Sequence, residues 1–83
     1  MKIRVRYFAS LREALGAEES VDVAAGASAA AVRDLLLARG GRHAEVLARG
    51  RAVRCAVNQT MADEGVALAE GDELAFFPPV TGG

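Results

Sequence analysis

The sequence predicts an α+β fold in which a mixed sheet of four to five strands carries one main helix on one face. Three observations lead to this prediction. Residues 2–8 alternate polar and apolar side chains, residues 29–39 repeat apolar side chains at helical spacing, and residues 74–77 are apolar throughout, like a strand at the centre of a sheet. With 83 residues in all, the chain is expected to form one small domain.

The first strand is predicted over residues 2–8. Its alternate apolar side chains are expected to face the core: Ile3, Val5 and Tyr7. Phe8 is then the one apolar side chain on the opposite, polar face. The position of Phe8 therefore needs an explanation other than the core.

A short helix and a second strand are expected next. Ser10-Leu11-Arg12-Glu13 has the S-x-x-E form of a capping box, and Gly16 is a suitable helix end, which predicts one or two helical turns. Residues 19–23 then form the second strand, with Val21 and Val23 facing inward.

The main helix is predicted over residues 29–39, with Ser28 as its N-cap and Gly40-Gly41 as its end. Its buried face is expected to carry the larger apolar residues, namely Val32, Leu35 and Leu36. Arg33 and Asp34 are expected to face water.

The second half of the chain contains further strand patterns. A short helix is expected over 43–49, and a strand over 53–57 with Val53, Cys55 and Val57 inward. A turn at 58–60 and a loop at 61–69 with one short edge strand follow. The last strand, 74–77, is central in character. This order of elements is that of a β-grasp, or ubiquitin-like, fold, in which the first and last strands pair in parallel and one helix covers one face.

The end of the chain is its most unusual stretch. Pro78 and Pro79 lack a backbone N–H, so strand pairing must stop after Phe77. We therefore predict a β-grasp domain over residues 1–77 and a flexible tail over 78–83. No charged side chain occurs from residue 74 onward, so the tail can enter a narrow channel in a partner without desolvating side-chain charges. Its single charged group is the carboxylate of Gly83.

The composition argues against several classes of function. Residues 1–54 hold all ten lysines and arginines against six acids, whereas residues 55–83 hold five acids and no base. No basic run suggests nucleic acid as a partner, and no apolar run is long enough to cross a membrane. A single cysteine and a single histidine make a structural metal site improbable, so no bound metal is expected. A cytoplasmic protein is expected.

Three stretches resemble the small subunit of molybdopterin synthase, a family of ubiquitin-like sulfur carriers. They are Tyr7–Glu13, Ala56–Thr60 and, most specifically, Gly71–Gly83 with its terminal Phe-Phe-Pro-Pro-Val-Thr-Gly-Gly. The likeness covers the chain from end to end and is weak through residues 17–52.

The resemblance implies a function for the tail. In this family an E1-like activating enzyme uses ATP to adenylate the terminal glycine, here Gly83, and a sulfur donor then converts it to a thiocarboxylate. The large subunit of a heterotetrameric synthase takes in the loaded tail, here Pro78, Pro79, Val80, Thr81, Gly82 and Gly83. Sulfur then passes to cyclic pyranopterin monophosphate. The catalytic groups belong to the partner, so the chain itself has no catalytic constellation and binds no cofactor.

Phe8, Arg12 and Phe77 are the candidates for contacts with a partner. The two aromatic residues lie on neighbouring strands, on the outer sheet face that is expected to be polar, and Arg12 matches the family motif. Packing of the aromatics under a loop is the competing interpretation. Cys55 is expected to be a small buried hydrophobe, and His43 a surface residue.

Other functions remain open at this point. The same chemistry could serve thiazole synthesis, tRNA thiolation or protein modification, and the chain could also be a β-grasp interaction module whose tail does no chemistry. The stretch 76–81 favours molybdopterin synthesis.

Overall fold

The computed structural model describes residues 1–79 and has the α+β architecture predicted from the sequence. The strands are β1 (Lys2–Tyr7), β2 (Glu18–Asp22), β3 (Arg54–Val57), β4 (Thr60–Ala62) and β5 (Glu73–Phe77). The helices are α1 (Ala9–Leu15), α2 (Ala29–Leu37) and α3 (Gly41–Val46). Among these described residues, no helix is long and apolar enough to cross a membrane.

The five strands form one mixed sheet in the order β2-β1-β5-β3-β4. β5 lies at the centre, parallel to β1 and antiparallel to β3. The register sets Tyr7 opposite Phe76 on one side of β5 and Arg54 opposite Phe77 on the other. The predicted parallel pairing of the first and last strands at the sheet centre is thus confirmed.

The core lies between the sheet and the helices. Its strand residues follow the predicted alternation, because Ile3, Val5 and Tyr7 of β1 are at most 1% exposed. Leu74 and Phe76 of β5 complete the sheet side, and Leu11, Val32 and Leu36 come from the helices. We call the opposite side of the sheet the outer face; by register it carries Arg4, Arg6, Arg54, Ala56, Met61, Ala75 and Phe77.

The predicted orientation of α2 is wrong at two positions. Arg33 is only 3% exposed, whereas Leu35 is 39% exposed. The buried stripe runs through positions 29, 32, 33 and 36, which is the i, i+3, i+4, i+7 spacing of one helix face. The prediction followed the identity of the side chains, while the helical period decides which positions face the sheet.

Arg33 is accommodated in the core because each nitrogen of its guanidinium finds at least one acceptor. Nε donates to the carbonyl of Leu47 at 2.8 Å, and Nη2 donates to those of Ala48 at 2.7 Å and Arg51 at 3.2 Å. Nη1 pairs with a Glu64 carboxylate oxygen at 2.7 Å. The side chain therefore joins α2 to the loop that precedes β3 and to the loop after β4.

The ends of the helices show which capping signals apply. Ser28 is the N-cap of α2, as predicted, and its hydroxyl accepts from the Ala31 amide at 3.1 Å. The capping box at Ser10 is wrong, because α1 begins at Ala9 with Phe8 as an N-cap that makes no side-chain bond. α1 does end at Gly16, where φ is +93° and the amide donates to Arg12 O.

The helices and strands near the middle of the chain are shifted from their predicted bounds. α2 ends at Leu37, and Gly41, predicted as part of a stop, instead begins α3. α3 contributes no buried residue, and Leu47 directly after it is fully buried. Asn58 and Gln59 form the predicted turn between β3 and β4, with φ values of +49° and +69° that suit a two-residue hairpin.

Candidate functional site

The candidate site begins where β5 ends. The ladder of the sheet stops at Phe77, and Pro78 and Pro79 follow outside any strand. Without backbone N–H groups, the two prolines cannot extend the pairing with β3. The remaining tail residues predicted to carry the function, Val80, Thr81, Gly82 and Gly83, lie outside the described residues.

The start of β5 is held by a compact hydrogen-bond network. The Asn58 side chain donates to an Asp72 carboxylate oxygen at 3.0 Å and accepts from the Glu73 amide at 3.0 Å. The other Asp72 oxygen accepts from the Ala69 amide at 2.8 Å. These bonds lower the pKa of Asp72, with the Ala69 amide as the largest cause. The hairpin turn and the loop before β5 are thus joined, and the register that places Phe77 at the end of the sheet is reinforced.

Phe8 and Phe77 lie side by side at this end of the sheet. The Phe8 amide donates to the Phe76 carbonyl at 3.2 Å, which continues the pairing of β1 with β5 by one residue. Phe8 is 37% exposed and Phe77 is half-buried. The Arg6 guanidinium lies 5.1 Å from the centroid of the Phe8 ring. The sheet topology therefore brings together two aromatic residues that are far apart in sequence.

Arg12 lies close to the aromatic pair. Its amide and that of Leu11 both approach the Phe8 carbonyl, at 3.4 Å and 3.2 Å, in the first turn of α1. The Arg12 side chain is exposed, and among residues 1–79 it has no carboxylate within 4.0 Å. The three residues predicted to contact a partner thus gather at the same end of the domain as Pro78. Their role in binding stays a prediction.

Two residues of this region were missed by the sequence reasoning. Arg54 stands opposite Phe77 on the outer face, and Met61 of β4 is 58% exposed. Together with Asp63 and Pro79 they line an open pocket of about 330 Å³ beside the root of the tail. The signal was present in the alternation of β3, since placing Cys55 inward requires Arg54 and Ala56 to point outward.

The described residues offer little chemistry of their own. Cys55 is 2% exposed, and its thiol donates to the Ala62 carbonyl at 3.3 Å. Burial is the main cause that raises the pKa of this thiol, and a thiol with a raised pKa is a poor nucleophile. Within residues 1–79, no group of three His, Cys, Asp or Glu side chains is arranged to hold a metal ion.

Most acids of the second half of the chain have internal partners. Glu64 pairs with Arg33, and Glu73 lies 3.5 Å from Arg6. Glu70 accepts from the Lys2 amide at 3.0 Å, and Asp72 belongs to the network at the start of β5. The bonds of these four acids indicate a structural role.

His43 is part of a polar cluster on the side of the helices. The Glu19 carboxylate accepts from the Tyr7 hydroxyl at 2.7 Å, lies 2.8 Å from His43 Nε2, and also pairs with Arg39. Burial and the bond to Glu19 raise the pKa of Tyr7 far above its usual range. This cluster ties β1 and β2 to α3, which has no buried side chain of its own.

Glu19→Gln is expected to destabilise the domain by about 1–2 kcal/mol at pH 7, since charged acceptors make the stronger hydrogen bonds. Burial alone raises the pKa of Glu19, but the bonds from His43, Tyr7 and Arg39 outweigh it and lower that pKa below its usual range. A carboxylate with a lowered folded-state pKa contributes stability above its unfolded pKa and loses it as the pH falls through the folded value. Urea unfolding at pH 7 and pH 4 measures this.

In that experiment, the difference between wild type and the Glu19→Gln variant should be larger at pH 7 than at pH 4. The exposed Glu45 on α3 provides the matched control, since Glu45→Gln should change stability by less than about 0.5 kcal/mol. Equal stability of the Glu19→Gln variant and wild type at pH 7 would contradict the role given to the cluster.

Comparisons with known proteins agree with the fold and extend over the tail. A model of the ThiS family matches residues 5–83. The molybdopterin synthase sulfur carrier subunit of Escherichia coli (strain K12) is 41% identical over 81 residues, which cover 98% of this chain and 99% of the relative.

Two solved structures are similar over 100% of both chains. SAMP1, the small archaeal modifier protein 1 of Haloferax volcanii, has a TM-score of 0.79 at 32% identity. A chain from the complex of subunits 1 and 2 of molybdopterin-converting factor of Helicobacter pylori 26695 has a TM-score of 0.70 at 24% identity. The ubiquitin-like β-grasp fold predicted from the sequence is therefore confirmed.

Proposed function

Because this chain belongs to the ThiS family, we propose that it is the sulfur carrier subunit of a molybdopterin synthase. The relatives that carry this name match the chain almost from end to end at 36–41% identity, in agreement with the resemblance seen in the sequence. The observation that carries the proposal is this whole-length match, which includes the terminal Gly-Gly. The cytoplasm is the proposed compartment.

The proposed reaction takes place at Gly83. An activating enzyme adenylates the terminal carboxylate with ATP, which releases pyrophosphate and turns a poor electrophile into an acyl-adenylate. Hydrosulfide released by a donor then attacks the acyl carbon and displaces AMP, which leaves a thiocarboxylate. Glycine at 82 and 83 keeps the carbonyl free of a neighbouring Cβ at each step. The loaded tail finally gives its sulfur to cyclic pyranopterin monophosphate in the large subunit of the synthase.

The domain supplies the rigid support for this tail. β5 is central in the sheet, its start is held by the Asn58–Asp72 network, and its end leads directly into Pro78 and Pro79. The Helicobacter pylori structure that contains a chain of this fold is a complex of two subunits of molybdopterin-converting factor. A large subunit is therefore the proposed partner, in a heterotetramer, and the surface around Phe8, Arg12 and Phe77 is the proposed contact.

Intact-mass analysis tests the proposal directly. The purified chain is incubated with ATP, the activating enzyme and a sulfur donor, and the expected result is the mass increase of one oxygen-to-sulfur exchange. Omission of ATP serves as the control. If the chain stays unmodified under conditions in which the Escherichia coli relative is converted, the proposal is wrong.

Phe8→Ser is expected to weaken binding to the synthase large subunit by about tenfold or more, because exposed aromatic side chains are frequent centres of binding energy. Phe8 is 37% exposed, so the change should leave the fold intact. Leu35→Ser is the matched control, since Leu35 is equally exposed at 39% but lies on α2, on the other side of the domain. Calorimetric titration with the large subunit measures the affinity of both variants. Equal affinities of the Phe8→Ser and Leu35→Ser variants would contradict the proposed contact.

Protein modification is the second candidate function, and the similarity to the Haloferax volcanii modifier favours it. The same activated Gly83 would then be attacked by a lysine amine of a target protein instead of by sulfur. Incubation of the epitope-tagged chain with the activating enzyme, ATP and cell extract distinguishes the two. Covalent adducts that resist reducing agents would support modification. Sulfur transfer to thiazole or tRNA stays open and depends on which acceptor enzyme binds the chain.

A further inference from the structure

The arginines of this chain divide into two groups. Five have a carboxylate within 4.0 Å: Arg4, Arg6, Arg33, Arg39 and Arg49. The other basic side chains have no such partner among residues 1–79: Lys2, Arg12, Arg42, Arg51 and Arg54. Because the second group has no carboxylate partner among the described residues, its location on the surface is informative.

Two members of the second group flank the root of the tail. Arg54 is exposed on β3 and stands opposite Phe77, the residue directly before Pro78. Arg12 is exposed on α1, in the turn that follows Phe8 on the far side of β5. Arg54 and Arg12 are thus carried by the two elements that flank the end of β5, namely β3 on one side and the first turn of α1, after β1, on the other.

Among residues 1–79, no carboxylate near this end of the outer face forms an ion pair with Arg54. Arg6 and Glu73 neutralise each other at 3.5 Å. Asp63 lines a pocket together with Arg54 but forms no ion pair with it. A guanidinium that is not paired within its own chain costs little in water, and it is available to a carboxylate of another protein without the loss of an existing bond.

We propose that Arg54 and Arg12 form a cationic rim around the aromatic pair that recognises carboxylates at the entrance through which the tail passes into the synthase large subunit. This inference rests on the proposed function. It adds that the partner surface is apolar at its centre and acidic at its edge, and that Arg54 guides the approach. Rim charges act mainly on the association rate, and their effect declines as salt screens them.

The test measures association rates with the purified large subunit by stopped flow, from low to high ionic strength. Arg54→Gln should slow association about three- to tenfold at low salt, and the double change with Arg12→Gln should slow it further. Asp63→Asn should have the opposite sign and accelerate association, because it removes a negative charge beside Arg54. All rates should converge at about 1 M salt, where the screening length is about 3 Å.

Lys2→Gln is the matched control, since Lys2 is also exposed and unpaired among the described residues. It lies at the opposite end of β1, about 16 Å from Tyr7 at about 3.3 Å per residue. The Lys2→Gln variant should associate with the large subunit at the rate of the wild type. If Arg54→Gln and Lys2→Gln have the same rate, the cationic rim is wrong while the proposed function stands. If the wild type does not bind the large subunit at all, both fail together.

Discussion

A chain with one alanine added after Gly83 is expected to form no thiocarboxylate and to support no molybdopterin synthesis. The added residue moves the terminal carboxylate by about 3.5 Å and places a methyl group beside it. Displacements of about 1 Å from a productive geometry already cost about 100-fold in rate, so the loss should be complete within detection. Intact mass and product formation with the reconstituted synthase measure the two effects separately.

A change elsewhere in the chain shows whether this loss is specific to the terminus. Gly50→Ala adds a methyl group that meets no atom within 4 Å, and it should leave thiocarboxylate formation unchanged. Both variants should unfold at the temperature of the wild type. Full molybdopterin synthesis by the extended chain without thiocarboxylate formation would instead support the alternative in which the domain is an interaction module and its tail does no chemistry.

Arg33→Met is expected to destabilise the domain by about 3 kcal/mol or more. The substitution keeps an apolar stem in the core but removes the guanidinium that serves the carbonyls of Leu47, Ala48 and Arg51 and the carboxylate of Glu64. Loss of one partner of a buried ion pair commonly costs about 3–5 kcal/mol, because the groups left behind have lost their hydrogen bonds. Urea unfolding measures the change.

Two further variants separate the causes of this effect. Arg42→Met removes an exposed guanidinium on α3 and should change stability by less than about 0.5 kcal/mol. The double change Arg33→Met with Glu64→Leu should recover only part of the loss, because the carbonyls of Leu47 and Arg51 still lack the guanidinium and that of Ala48 keeps only the Arg51 amide. A loss of less than about 1 kcal/mol in the Arg33→Met variant would show that water replaces the guanidinium at little cost.

The parts of the fold that the sequence predicted well depend on short-range patterns. The alternation of polar and apolar residues in β1 and the apolar run of β5 each indicate a strand. The prolines after Phe77 mark the end of the last strand. The Ser28 cap was also predicted, because a serine before a helical pattern satisfies a backbone amide that has no other partner. The outward position of Phe8 and Phe77 was also predicted, from the alternation of β1 and the neighbouring place of β5 in the predicted fold.

The predictions that failed concern residues whose surroundings are decided by the rest of the fold. A buried arginine is predictable only if its acceptors are known, and those of Arg33 come from residues 14 to 31 positions further along the chain. Leu35 was placed inward for its hydrophobicity, although its position on the helix faces away from the sheet. Arg54 looked like an ordinary strand residue until the register set it opposite Phe77. Ser10 matched a capping motif, but the path of the chain out of β1 makes Phe8 the cap.

The parallel pairing of β1 with β5 has a practical consequence for experiments in which the protein is immobilised on a sensor chip or bead. Lys2 is the single lysine, so it and the amino group of Met1 are the only primary amines in the chain. Both lie where β1 begins, whereas Pro78 follows the opposite end of the neighbouring strand. Amine-reactive coupling would therefore attach every molecule to a sensor chip or bead by the end of the domain remote from Pro78, in one orientation, without an engineered tag.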